Sequence, residues 1–379
     1  MRIALTGADG FLGWHLRCAA LARGIAVDPL SREDLARPER LAGRLGAVDA
    51  VIHCAGVNRG SDTELTEGNR LAAEQLATAV AATHQAAGQP LRLVYANSIQ
   101  SLGGPTAGPL YGPAKRLAGE RLATASPAYS DVLLPNLFGE HGRPWYNSFV
   151  ATFCAQLAEG GQPEVTEDRL VPLLHVQDAA AILLDQAGVP AQVGRTRVEP
   201  PAQPVPVSRV LALLREFARV YATGELPDIA DPFAARLFNT YRSFLVPDRY
   251  PIIGTPRTDQ RGTLVECVRT GSAGGQAFVS STRPGAVRGE HFHLRKFERF
   301  LVLEGEAEIA LRRLFSKDVV RFRVTGGTPA MIDMPTLWVH NLTNIGRTPV
   351  TTFFWTNELF DPADPDTFPA AVDDLEVPR

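Results

Sequence analysis

Three groups of residues have the types and spacing to do chemistry. Tyr111 and Lys115 lie four apart in YGPAK, which puts both on one face of a helix. A lysine ammonium beside a phenol favours the phenolate and lowers the tyrosine pKa. Ser98, at the end of the preceding apolar run, can hydrogen-bond a carbonyl oxygen. Such a trio can protonate the oxygen of a ketone as it is reduced. The second group is Gly7, Gly10 and Gly13 in TGADGFLG. Glycines at this spacing make a tight turn, let the backbone approach a pyrophosphate and aim a helix N-terminus at its charge. Gly7, Gly10, Phe11, Leu12 and Gly13 are therefore the expected dinucleotide loop. The third group is Gly285-x5-His291-x-His293-x4-Glu298-x6-Gly305, followed by Pro335-x-Leu337-x2-His340-x3-Asn344. Histidines at i and i+2 of a strand point the same way. His291, His293, Glu298 and His340 can hold one divalent metal.

The elements that must position these groups change character along the chain. RIALTG reads as a short strand and GFLGWHLRCAALARG as a helix ending at Gly24. A strand is expected over residues 25–30 and another in AVDAVIHCAG. NRLAAEQLATAVAATHQAA is a long alanine-rich helix, RLVYANS a strand, YGPAKRLAGERLATAS a helix and SDVLLPNLFG a single further strand. Strands alternating with helices predict a parallel sheet covered on both faces. PAQPVPVSRVLALLREFARVYATG adds a proline-rich lead and one amphipathic helix. After about Leu245 the texture becomes short and β-rich: LVECVRT, QAFVSSTRPG, ERFLVLEGEAEIALRRL, DVVRFRVTG, PAMIDMP and PVTTFFWTNE. Short strands between Gly and Pro turns predict a small antiparallel barrel or sandwich. The expected domains are 1–245 and 246–379. The acidic, proline-rich tail DPADPDTFPAAVDDLEVPR reads as draped on the surface.

Composition removes several classes. The 379 residues carry a net charge of -3, so there is no global footprint for nucleic acid. The chain begins in a strand with no separable leader pattern, and no run of 18 apolar residues spans a membrane. Cys18, Cys54, Cys154 and Cys267 form no CxxC and read as reduced, buried hydrophobes, the usage of a cytoplasmic protein.

The glycine loop with Ser98, Tyr111 and Lys115 resembles the extended short-chain dehydrogenase/reductase family over about residues 1–245. Cys54, Ala55 and Gly56 (CAG), Asn69 and the PNLFG stretch at 135–139 match it further. The resemblance implies a Rossmann-type doubly wound sheet and a nicotinamide cofactor touching Cys54, Ala55, Gly56 and Lys115. It also implies a substrate face formed by Asn136, Arg143, Tyr146, Asn147 and Ser148. An ordinary helix start is the other reading of Asn147 and Ser148. Asp28 lies about 20 residues beyond the glycines, where a ribose carboxylate stands in many such folds. Ser31 and Arg32 fall at the end of the second strand, and an arginine there suits a 2′-phosphate. NADPH is the cofactor expected.

The histidine pattern resembles the cupin family over about residues 250–360. The second cupin motif departs at Leu337, where a glycine is expected. The fusion of the two resembles the family of bacterial bifunctional capsular-polysaccharide enzymes of UDP-N-acetyl-L-fucosamine synthesis. Stretches at 143–154, 275–293, 340–346 and 356–368 carry that likeness, with Leu294 replacing a further histidine. The resemblance implies a homodimer acting on a UDP-linked 4-keto-6-deoxy amino sugar. Its cupin would epimerise C3 and its first domain reduce C4, giving UDP-N-acetyl-6-deoxy-L-talosamine. Ser98, Tyr111 and Lys115 would serve the reduction. His293, or less directly Lys296, would be the epimerisation base. Zinc is the metal the resemblance implies, although manganese, iron or nickel suit the same ligands. The rival readings are a single-activity reductase or 4-epimerase whose cupin is structural or dimerising, and a nucleotide-sensing scaffold. The intact Ser98–Tyr111–Lys115 set argues against the scaffold.

Overall fold

The computed structural model describes residues 1–103, 108–254, 257–259, 262–264, 268, 275–358 and 361–374. Cys267, most of the expected strand LVECVRT and parts of the tail (359–360, 375–379) lie outside the described residues. The chain packs as two compact units. One is formed chiefly by Met1–Thr152 and Glu167–Val207, the other by Phe153–Thr166 and the chain from Ser208 onward.

The first unit opens with β1 (Arg2–Thr6), α1 (Phe11–Ala22), β2 (Ala26–Leu30), α2 (Arg32–Leu35), α3 (Pro38–Leu45) and β3 (Ala50–His53). It continues with α4 (Asp62–Ala87), β4 (Arg92–Ser98), α5 (Tyr111–Ala125), β5 (Ala128–Leu134) and β6 (Asn136–Phe138). After α6 (Phe149–Ala158), which is divided between the two units, β7 (Leu170–His175), α7 (Val176–Gly188), β8 (Gly194–Val198) and β9 (Gln203–Pro206) follow in the first. Six strands form a parallel sheet in the order β2-β1-β3-β4-β5-β8. The order reverses between β1 and β3, so the loops after those two strands flank the crevice where such sheets bind ligands. Alternate residues of β1 serve opposite faces. Ala4 packs in the cluster that holds Leu76 and Leu122 of α4 and α5. Ile3 and Leu5 pack with Leu16 of α1 and Leu183 of α7. This is the two-faced burial that continuous apolar strands require.

Two details differ from the sequence expectation. α4 starts at Asp62, earlier than the alanine-rich run, because Ser61 and Glu64 form a capping box. SDVLLPNLFG is two strands in two sheets. Pro135 has no N–H to give to a ladder, so β5 stays in the large sheet while β6 joins β7 and β9 in a three-stranded sheet.

The second unit contains α8 (Val207–Tyr221) and α9 (Pro232–Arg242). Their aromatic residues explain why residues 208–245 pack here, although the change in texture falls at 245/246. Phe238 meets Phe217, Tyr221 and Phe297 edge-on at 5.3, 5.3 and 5.9 Å. The strands are β10 (Ile252–Ile253), β11 (Arg257–Asp259), β12 (Gly262–Leu264), β13 (Gln276–Thr282), β14 (Val287–Phe292) and β15 (Glu298–Glu304). Then come β16 (Glu306–Arg313), β17 (Val319–Thr325), β18 (Ala330–Met334), β19 (Trp338–Asn344), β20 (Val350–Thr356) and β21 (Phe368–Pro369). Apart from the β11–β12 hairpin they make two antiparallel sheets, β10-β18-β15-β20-β13 and β17-β16-β19-β14-β21. Gly305, at φ +85°, splits ERFLVLEGEAEIALRRL so that β15 and β16 enter different sheets. Side chains of both sheets, including Phe300, Ile309, Ile332 and Leu342, share one core.

Part of the tail is packed as an element, although most of its described residues are exposed as expected. Asp366 is 2% exposed and Val372 fully buried, and β21 pairs with His291 and Phe292 of β14. Its acidic composition concealed a buried carboxylate, that of Asp366, satisfied by the backbone amides of Leu294, Arg295 and Lys296.

Candidate functional site

In the first unit a cavity of about 350 Å³ lies at the carboxyl end of the parallel sheet. Gly7 and Gly13 show why glycine is required at its floor. A Cβ on Gly7, at φ +68°, would stand 2.8 Å from Ala55 N, and one on Gly13 would stand 2.0 Å from Gly7 O. The turn is closed by Gly10 N donating to Gly7 O at 3.1 Å. Thr6 Oγ1 accepts from Cys54 N and Ala55 N at 3.2 and 3.1 Å and contacts His53 Nδ1 at 2.7 Å, tying the ends of β1 and β3 together. Asn69 of α4 holds the next turn. Its Nδ2 donates to Val57 O at 2.7 Å and its Oδ1 accepts from Val57 N at 3.3 Å.

Gly7, Gly10, Phe11, Leu12, Gly13, Cys54 and Gly56 line the cavity, whereas Ala55, Ser31 and Arg32 do not. Ser31 caps α2 and forms a capping box with Asp34. Arg32 is the first residue of that helix and is exposed. Asp28 is already paired, at 2.6 Å, with Arg44, which also reaches Asp34 at 2.5 Å.

Ser98, Tyr111 and Lys115 line the same cavity, together with Asn136, Arg143, Tyr146, Asn147 and Ser148. Ser98 Oγ accepts from Gln100 N at 3.2 Å. Lys115 Nζ donates to Ala96 O at 2.7 Å and stands 4.2 Å above the Tyr95 ring. Burial brings the Lys115 pKa down to about 8. Tyr111 runs against the sequence expectation: burial, then neighbouring Tyr146, push its hydroxyl up to about 12. The ammonium meant to lower it is turned to a carbonyl and to another ring. Among the described residues no lining residue is acidic, while Lys115 and Arg143 are basic, so the cavity suits an anion.

Sequence reasoning missed several neighbours. Val57, Asn58, Asn97, Ile99 and Gln100 also line the cavity. Arg59 Nη1 donates to Trp145 O at 2.7 Å and also to Tyr146 O, holding the 143–148 turn. Beneath that loop, His15 Nε2 contacts Glu140 O at 2.9 Å and His175 Nε2 lies 3.3 Å from the Glu140 carboxylate, all three buried. The spacing of residues 15, 140 and 175 carries no local signal.

In the second unit all four expected metal ligands converge. Ligand atoms of His291, His293, Glu298 and His340 lie within 4.8 Å of one another. Glu298 Oε2 is 3.3 Å from His293 Nε2 and 3.2 Å from His340 Nε2. A bulge in β14 makes this possible. Gly289 at φ +99° and Glu290 at φ +58° shift the register so that His291 falls opposite His340 of β19. Burial, and then the neighbouring imidazoles, lower His291 to about 3. Burial likewise lowers His340. Burial opposes ionisation of Glu298, but hydrogen bonds from His293 and His340 and their charge hold it well below the usual carboxylate range. Metal ligands must be deprotonated, and the lowered His291 and His340 and the lowered Glu298 all lie in that direction. His293 Nε2 is buried without a hydrogen bond of ordinary geometry, so the donor set fits the group. Leu337 keeps the left-handed turn of the expected glycine, at φ +66°, and its N–H donates to His293 O at 2.8 Å. Lys296 Nζ is engaged by Pro365 O and Thr367 Oγ1, both at 3.1 Å.

A Rossmann-type sheet with a glycine loop and a Ser–Tyr–Lys cleft defines the short-chain dehydrogenase/reductase class. The family model for NAD-dependent epimerases and dehydratases matches residues 3–187, and that of the polysaccharide biosynthesis C-terminal domain matches residues 257–368. The UDP-2-acetamido-2,6-beta-L-arabino-hexul-4-ose reductase of Pseudomonas aeruginosa is 31% identical over 381 residues, 98% of this chain and 99% of that one. The crystal structure of the capsular polysaccharide assembling protein CapF of Staphylococcus aureus superposes with a TM-score of 0.58. It is 28% identical and covers 98% of this chain and 100% of that one. A CapF structure with the inhibitor 3-isopropenyl-tropolone gives 0.53 at 28% identity and the same coverage. The chain belongs to the NAD-dependent epimerase/dehydratase family, in the CapF-like group that carries a polysaccharide biosynthesis C-terminal domain. It is an NAD(P)-dependent oxidoreductase of that type. No helix among the described residues is long and apolar enough to cross a membrane.

Proposed function

We propose that the protein is a bifunctional enzyme of capsule or O-antigen synthesis acting on a UDP-linked 4-keto-6-deoxy-N-acetylhexosamine. Its second unit, read as a cupin, epimerises C3, and its first unit reduces C4 to give UDP-N-acetyl-6-deoxy-L-talosamine. The observation that carries this reading is the presence in one chain of a Ser98–Tyr111–Lys115 cleft and a His291–His293–Glu298–His340 cluster. The name of the Pseudomonas aeruginosa relative, a reductase of a UDP-linked hexul-4-ose, supports the substrate class and the reduced carbon. The acid-free cavity with Lys115 and Arg143 suits a diphosphate.

For the reduction, a nicotinamide dinucleotide on the Gly7–Gly13 loop supplies the hydride when bound. Tyr111 gives its proton to the C4 oxygen, and a hydroxyl pushed up to about 12 carries that proton at neutral pH. Ser98 orients the same oxygen through its hydroxyl proton, which the bond accepted from Gln100 N leaves available. Asn136, Tyr146, Asn147 and Ser148 face the sugar. For the epimerisation, a divalent metal, zinc by resemblance, polarises the ketone when bound and so acidifies the C3 proton. His291, His293, Glu298 and His340 hold it. His293 Nδ1 is held by Asp366 O at 2.5 Å, and Nε2 is buried without a hydrogen bond 3.3 Å from Glu298 Oε2, which suits holding a metal better than moving a proton. Lys296 is turned to the tail, so neither residue is assigned as the C3 base.

NADPH is preferred because Arg44 already neutralises Asp28, while Arg32 is exposed at the end of β2. Arg32→Ala should weaken NADPH binding far more than NADH binding in fluorescence titrations, since only NADPH has the 2′-phosphate. Equal losses would remove Arg32 from this role.

The name of the same relative, a reductase alone, favours a second reading in which the second unit is structural. Deuterium exchange separates the two. In D₂O the wild type should exchange the C3 proton of the keto-sugar without NADPH. His291→Ala should not, yet it should still reduce the sugar supplied already epimerised. No exchange in the wild type would favour the single-activity reading, and exchange at the wild-type rate in His291→Ala would remove the cluster from the C3 chemistry.

A further inference from the structure

We propose that the segment 364–369 is part of the metal centre, with Asp366 as the positioning residue that sets the tautomer and aim of His293. The proposal rests on the reading of the His–Glu cluster as a metal site. Asp366 is 2% exposed and adopts φ +43°, a left-handed conformation that aspartate tolerates better than most residues. Its carboxylate accepts three successive backbone N–H groups, those of Leu294, Arg295 and Lys296, at 3.2, 3.0 and 2.7 Å. These amides follow His293 directly. Its carbonyl oxygen lies 2.5 Å from His293 Nδ1. A carbonyl can only accept, so Nδ1 keeps the proton and Nε2 keeps the lone pair. Nε2 is the nitrogen that faces Glu298.

Anchors on either side hold Asp366 in place. Lys296 Nζ donates to Pro365 O and Thr367 Oγ1. β21 pairs with His291 and Phe292, and Val372 N donates to Glu290 Oε2 at 2.7 Å. One short segment therefore braces two of the four ligands from outside the cluster.

The test is titration of the metal-free full-length protein with Co²⁺, read from the visible ligand-field bands and from competition with a chelator. Asp366→Ala should weaken Co²⁺ binding about 10- to 100-fold, the usual scale for an outer partner of a metal-bound histidine. Asp366→Asn tolerates the same backbone and keeps one acceptor oxygen for the Arg295 and Lys296 amides but turns a donor towards Leu294 N, so it should fall between Asp366→Ala and the wild type. Circular dichroism and NADPH binding should be unchanged in both. Asp366→Ala binding Co²⁺ as tightly as the wild type would overturn the proposal. So would Asp366→Asn failing as badly as Asp366→Ala. If Asp366→Ala does not fold, Lys296→Met decides: several-fold weaker binding supports the proposal and unchanged binding overturns it. A wild type showing no Co²⁺ bands would instead overturn the metal site itself.

Discussion

Tyr111 and Lys115 illustrate how far a spacing of four can be trusted. The pattern located both side chains in one cavity with Ser98, because i, i+4 adjacency is a property of the helix itself. It misjudged their electrostatics, because burial and the partners of Lys115 come from β4, outside the motif. A phenol that stays protonated is still compatible with the proton-donor role proposed for Tyr111. Tyr111→Phe should cut turnover of the keto-sugar by at least ~10²-fold with little change in NADPH affinity. Stopped-flow absorbance at the nicotinamide band measures both, and near-normal turnover would remove Tyr111 from the reaction. The same contrast holds for His293. Its partner within the motif was legible, but its second partner, Asp366, lies 73 residues away in what composition marks as a surface tail.

At the scale of elements, the parallel sheet was readable because each strand is a buried apolar run between helical patterns. What escaped were breaks that depend on one residue in a specific ladder, such as Pro135 between β5 and β6 and Gly305 between β15 and β16. The Gly289 bulge belongs with them. A Cβ at Gly289 would stand 2.7 Å from His340 O and 2.9 Å from Asn341 Cα, both backbone atoms that cannot swing aside. Gly289→Ala should therefore displace β19 at His340, destabilise the fold by about 1–3 kcal/mol and lower metal retention during dialysis against a chelator. Full metal content with an unshifted melting temperature would show that the bulge does not set the ligand geometry.

At the scale of the molecule, stability should respond to acid through the buried group beneath the Arg143 loop. Burial lowers His15 to about 4 from 6.5. The unfolded chain thus binds the extra proton first as pH falls, and stability is complete above 6.5 and lost on the way to about 4. Glu140 is held near 2 although burial opposes it, because His175 and its hydrogen bond outweigh that cost. Its contribution is present above 4.5 and lost towards 2. His15 alone accounts for about 3 kcal/mol between pH 6.5 and 4. Urea midpoints of the wild type should fall across that range, and His15→Gln should flatten the slope. Trp14, 4.8 Å from the His15 ring, supplies a local fluorescence signal. Parallel slopes in the two proteins would assign the acid response elsewhere.

The break at Pro135 has an evolutionary consequence. One wall of the cavity, with the glycine loop, Ser98 and Tyr111, is carried by the six-stranded sheet and its helices. Asn136 and the turn beyond it leave from the small β6-β7-β9 sheet. Residues of that second wall can therefore be exchanged, lengthened or shortened without altering the register of any strand that supports the glycine loop. A lineage can reshape one wall of the cavity by drift in a single segment while the wall that carries the glycine loop stays as it was.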